Sequence, residues 1–143
     1  MTAYECVELF RRQLERRTGL KVVLVPSPVK DSGPVVRIAL RKVLVANDTV
    51  GNRRAAKREV KLTVALDGRV ESATGLRLAC DAIESVAAFL RIGTRLETAE
   101  GDPIPEASIT STINPDDGVL EDPDSGAVAW IRDEHFVVIS MPL

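Results

Sequence analysis

Residues 35–66 read VVRIALRKVLVANDTVGNRRAAKREVKLTVAL, and the fold turns on what they form. Val36, Ile38 and Leu40 alternate with Arg37, Ala39 and Arg41. A period of two is the mark of a strand with one buried face. The alternation then slips, because Lys42 falls in the apolar phase while Val43 and Val45 fall in the polar one. One extra residue near Arg41–Lys42, a β-bulge, restores the phase. Val60, Leu62, Val64 and Leu66 then alternate with Lys61, Thr63 and Ala65. Two strands, 35–46 and 60–66, are therefore expected around a basic loop at 47–59, as an extended β-hairpin.

Before the hairpin, TAYE at residues 2–5 has the form of a capping box. Val7, Phe10 and Leu14 follow at helical spacing, and Gly19 suits the left-handed position that ends a helix. A first helix over 3–18 is expected, then a short strand at 20–25 closed by Pro26. After the hairpin, Asp67-Gly68 reads as a turn and Ser72 or Thr74 as the cap of a second helix over 73–91. In that helix Leu76, Cys80, Ile83, Ala87 and Leu90 form one stripe, which Leu78, Ala82 and Phe89 widen. Such width fits either a flank that meets another subunit or a helix deep in the core.

Beyond Gly93 the signals weaken. TRLETA and ASITSTI are candidate strands, NPDDG and EDPDSG are turn material, and residues 97–126 read as one long acidic loop. AVAWI and HFVVISM, with Arg132-Asp133-Glu134 between them, form either a hairpin or one long strand. The last segment is apolar on both faces, as in a central or covered strand. The order predicts one α+β domain over 1–143: a mostly antiparallel sheet with a long β-hairpin and two helices packed on one side.

A chain of 143 residues with 45% hydrophobic residues can bury a core without staples. No apolar run approaches the roughly 20 residues that span a bilayer, and residues 1–17 lack the apolar centre of a signal peptide, so no membrane partner is expected. Cys6 and Cys80 each lie in an apolar helical pattern and read as buried, reduced thiols with no CxxC partner. His135 is the single histidine. A lone strand histidine is usually structural or exposed, and no nucleophile motif, HExxH or P-loop accompanies it. No catalytic residue and no cofactor are expected. Asp122-Pro123-Asp124-Ser125-Gly126 opens like a calcium loop but has Gly126 at the third ligand and Asp133 at the twelfth position, so no metal is expected.

Charge is sorted along the chain. Residues 1–61 hold 14 Lys and Arg against 6 Asp and Glu, a net of +8; residues 62–143 hold 5 against 15, a net of −10. The basic loop carries Arg53, Arg54, Lys57 and Arg58, with Lys61 just beyond. The acidic stretch carries Asp116, Asp117, Glu121, Asp122 and Asp124 and has no basic residue. The basic cluster could neutralise phosphates, which keeps a small nucleic-acid-binding regulator as an alternative. It has no aromatic for base stacking, and the sequence pI is near 5.5. Opposite patches on one body also allow a copy to bind the next head to tail, and a rotation that closes gives a ring.

The layout resembles the tail-terminator, or tail-completion, proteins of long-tailed bacteriophages and their prophage relatives. The matching pieces are TAYECVELFRRQLERRTG, VVRIALRKVLVA with VKLTVALDG, ESATGLRLACDAIESVAAFLR and AVAWIRDEHFVVISMPL. The resemblance implies a non-enzymatic virion protein, assembled in the host cytoplasm at the tail–neck junction. It implies a ring, typically hexameric, that caps the tail tube and joins it to the head–neck connector, with DNA passing only through the lumen. Arg53, Arg54, Lys57, Arg58 and Lys61 would then contact a neighbouring subunit, the tube or the neck. Asp116, Asp117, Glu121, Asp122 and Asp124 would be their counterparts or face the lumen. Another neck or tail adaptor, such as a head-closure or baseplate component, shares these features.

Overall fold

The computed structural model describes residues 1–26, 34–50, 53–121 and 129–142; for 46–50, 53–56, 116–121 and 129–130 the description is of backbone alone. Helix α1 spans Ala3–Thr18. Its capping box is formed: Thr2 Oγ1 accepts from the Glu5 amide at 3.1 Å, and Glu5 Oε2 accepts from the Thr2 amide at 3.0 Å. Gly19 ends the helix at φ 71°, a conformation that costs a residue with a Cβ more than it costs glycine. Cys6, Val7, Phe10, Gln13 and Leu14 make its buried face.

Strand β1 (Val22–Leu24) leads to β2 (Val35–Val50) and β3 (Arg53–Val70). The hairpin is longer than expected at both ends. Residues 47–50 and 53–59, expected as loop, continue the ladder, with Val50 opposite Arg53. Asp67-Gly68, expected as a turn, stays in β3, paired with Arg132 and Ile131 across the next strand. The bulge stands where the phase slips: the register shifts between Leu40 and Lys42.

Helix α2 spans Ala73–Phe89, and Ser72 Oγ accepts from the Gly75 amide at 3.0 Å as its cap. Then come β4 (Arg95–Glu97), β5 (Pro103–Glu121) and β6 (Ala129–Pro142). The candidate strands TRLETA and ASITSTI are found in β4 and β5, but the expected long acidic loop is corrected over most of its length: 103–121 is one strand, and the NPDDG turn signal is absorbed into it. Bulges explain how, since β5 shifts register against β6 between Ile109 and Ser111, Ile113 and Asp116, and Asp116 and Val119. Extra residues in a bulge tolerate turn-forming side chains while the strand continues. From Ala129 on, the two terminal segments are one strand, and β6 lies inside the sheet, as its two apolar faces require.

The six strands run β1-β2-β3-β6-β5-β4, parallel only between β1 and β2. Val36, Ile38, Val60, Leu62, Val64, Leu66, Val137 and Ile139 point into one core with Phe10, Leu14 and Val86 from the helices. Each such side chain contributes about 1.5–3 kcal/mol by leaving water. The α+β class read from the sequence is the observed one.

The second helix meets this core by a different stripe from the one expected. Ala79, Ala82, Val86 and Leu90 are buried, whereas Leu76, Leu78, Cys80 and Ala87 are exposed. Two alanines at the contact let the helix lie close to the sheet, which turns the larger leucines outward. Near its C-terminal end it meets α1, where the rings of Phe89 and Phe10 lie 5.8 Å apart. The deep-core alternative is thereby overturned.

Candidate functional site

Among the described residues, the charged groups singled out by the sequence lie toward opposite ends of the sheet, except Lys61, which stands mid-sheet between Lys42 and Val138. Registers fix this. Val35, Asp67, Arg132 and Val119 share one level across β2, β3, β6 and β5, while Leu44, Glu59, Ser140 and Ser108 share another. Strand β6 ends at Pro142, opposite Lys57. Past that point β2 and β3 go on alone as a two-stranded arm that carries Arg53 and Arg54. Asp116 is level with Glu134, and Glu121 with Trp130, at the far end of β6. Asp117 lies between them in β5. The basic and acidic groups thus sit on different strands, at different heights, with β6 between them. Asp122 and Asp124, and with them the calcium-like loop, lie outside the described residues.

Of the basic set, Arg58 donates from Nη1 to the Met1 carbonyl at 2.9 Å, which ties the base of the arm to the start of α1. Lys57 and Lys61 are half-buried on β3. Arg41 lies over the Phe136 ring, 4.6 Å from its centre, on the face away from the helices. Leu40, Val43 and Val45 are exposed along β2, at 49%, 40% and 60%. Together with Leu76 and Leu78 on α2 they give the protein apolar surface outside its core.

Charge sorting is partly satisfied within the chain, at a place the sequence reading missed. Glu97, at the start of the acidic stretch, is buried beneath the basic end of α1. Arg16 Nη2 holds Glu97 Oε2 at 2.6 Å, and Arg17 holds Oε1. Burial pushes the Glu97 carboxyl up, but the hydrogen bonds from Arg17 and Arg16 outweigh it and keep it below the usual carboxylate range. Beside it Gln13 donates to the Arg95 carbonyl at 2.9 Å and accepts from the Glu97 amide at 3.0 Å. This one amide closes the outer edge of β4.

A second missed cluster is buried in the sheet. His135 Nε2 lies 2.9 Å from Asp133 Oδ2, and Asn114 Nδ2 donates to Asp133 Oδ1 at 3.2 Å. Its signal was available: Ile131, Asp133, His135 and Val137 alternate into the buried phase of β6. Asn114 Oδ1 is buried without a partner among the described residues. No Ser or Cys nucleophile joins this cluster in the contacts described.

The cysteines divide. Cys6 is fully buried, and desolvation pushes its thiol up to about 11 against the opposing pull of Arg58. Cys80 is exposed on α2, which corrects its expected burial. Among the described residues no group of three His, Cys, Asp or Glu is placed to hold a metal ion, and no helix is long and apolar enough to cross a membrane.

No family model matches the chain, and no curated protein does. Among solved structures, a chain of the "Virion of native gene transfer agent (GTA) particle" aligns over 92% of this chain and 91% of its own, at 14% identity and a TM-score of 0.43. A second solved chain, of undescribed function, aligns over 92% and 94% at 15% identity and a TM-score of 0.39. Neither likeness is close enough to carry a function across.

Proposed function

We propose that the protein is a structural part of a long-tailed phage or prophage particle, of the tail-terminator type, and that it catalyses no reaction. Copies associate head to tail into a ring, a hexamer by the family resemblance. The ring sits on the tail tube, stops its growth and offers its other surface to the head–neck connector. DNA passes through the hole. The chain is made in the host cytoplasm and ends in the virion, at the tail–neck junction.

The observation that carries this reading is the placement of opposite charge at opposite ends of one sheet. Residues 53–56 and 116–121 cannot neutralise one another within a copy, because β6 and the length of the sheet separate them. Complementary patches of this kind set register and exclude wrong partners. The two-stranded arm supports the reading independently: an isolated hairpin is marginal in water, so a projecting one gains by docking on something. Arg53, Arg54, Lys57, Arg58 and Lys61 are assigned to contacts with a neighbour, the tube or the neck. Asp116, Asp117 and Glu121, with Asp122 and Asp124 beyond them in sequence, are assigned as the counterparts or to the lumen.

Electron microscopy of particles made without this chain tests the proposal. Overlong tails are expected. Tails of normal length, detached from heads, would assign it to a neck adaptor instead, and normal particles would remove it from the tail altogether.

A further inference from the structure

Both outer edges of the sheet are covered for only part of their length. On β2, strand β1 pairs with Val36–Ile38, at the level of Val35. On β5, strand β4 pairs between Pro103 and Ser108, at the level of Leu44 and beyond. Residues 39–50 of β2 and 110–121 of β5 have no strand on their outer side among the described residues. Open edges present rows of backbone donors and acceptors and are templates for pairing. Elsewhere the edges are managed. Gln13 closes β4, and Arg11 donates to the Val22 carbonyl of β1 at 3.4 Å. No such side chain reaches the outer side of 39–45 or 110–115 among the described residues.

Resting on the ring reading above, we infer that neighbouring copies join by antiparallel strand pairing, β2 residues 39–50 of one copy against β5 residues 110–121 of the next. Direction follows from topology. Three antiparallel steps lead from β2 through β3 and β6 to β5, so β2 and β5 run oppositely. A rotation about an axis to which the strands are tilted preserves that relation.

The two free stretches are also offset. The β2 stretch lies toward the arm, and the β5 stretch lies toward the opposite end, level with β1. Pairing them shifts each copy along its neighbour by about six residues, roughly 20 Å at about 3.3 Å per residue. Strand β1 then passes below the joint and β4 above it, so neither short strand obstructs. A sheet that closes on itself needs such a fixed stagger and tilted strands. It also needs curvature, which bulges supply, and both joining strands are bulged.

Charge and apolar surface agree with the partner chosen. Lys42 and Arg41 stand on the β2 stretch, and Asp116, Asp117 and Glu121 on the β5 stretch. Val43 and Val45 on one side and Ile113 on the other are exposed apolar side chains that the joint would cover.

The test is a cysteine pair, Val45→Cys with Ile113→Cys, in a Cys80→Ser background, treated with a short bifunctional maleimide. The two sites lie on opposite edges of a copy, so a link between them joins different copies. The pair variant is expected to give a ladder rising to the closed ring, and each single variant to stay monomeric on a denaturing gel. Oligomers in solution without a ladder would overturn the joint while leaving the ring reading standing. Single variants that cross-link as well as the pair would overturn it too, since they would mean a symmetric contact. Monomers under every condition would overturn both. Hydrogen exchange of the unaltered protein gives a second readout. The outward-facing amides of 39–45 and 110–115, those not bonded to β3 or β6, should be protected only in oligomers, and equal exchange of these amides in both states would contradict the joint.

Discussion

Glu97 shows how a single residue reads the charge pattern of the whole chain. Its carboxylate is held by Arg16 and Arg17 and lies below its usual range in the folded protein. A carboxyl depressed on folding contributes stability that is present above its unfolded value and lost as pH falls through the folded one. Unfolding midpoints of the protein and of Glu97→Gln should therefore differ at neutral pH, by roughly 1–3 kcal/mol in stability, and converge in acid. An unchanged difference down to strongly acidic pH would mean that the guanidinium contacts do not act through charge. The cysteines give a second residue-scale test. Cys80 should react with a thiol reagent in the native protein at near-neutral pH, and Cys6 only on unfolding. Two fast labels would contradict the burial of Cys6.

Among the elements, α2 discriminates best between core and surface. Val86→Ala should cost about 1–3 kcal/mol, because it removes methyl groups from a fully buried site. Leu78→Ala, at a position 58% exposed, should change stability by no more than about 0.5 kcal/mol. Denaturant titration of both variants checks this, and a larger loss for Leu78 would reverse the assigned face. The same helix shows what the sequence left unreadable. Leu76, Cys80 and Ala87 keep helical spacing as well as Ala79, Ala82 and Val86 do. Periodicity alone does not say which stripe the sheet selects when both are apolar. Strands were more legible: alternation at 35–46 and 60–66 gave both phase and bulge. The ladder's continuation through 47–50 and 53–59, and through 103–106 and 114–121 on either side of the candidate strand 107–113, was not, because cross-strand pairing is a tertiary fact that polar and turn-forming side chains do not announce. Glu97 stands both in the candidate strand TRLETA and at the start of the expected acidic loop, and its ion pairs were not legible because its partners lie some 80 residues earlier in the chain.

For the whole molecule, the account rests on unlike ends that a single copy does not bring together. Salt is the natural variable. Exposed charges act over about 10 Å at 0.1 M salt and about 3 Å at 1 M. Reversing the arm with Arg53→Glu and Arg54→Glu should abolish association at low salt without lowering the unfolding midpoint. The most direct measurement is sedimentation velocity of the unaltered protein across concentration and salt. Oligomers larger than a dimer at low salt, dissociating as salt rises, are expected. A monomer at the highest soluble concentration in low salt would contradict the account.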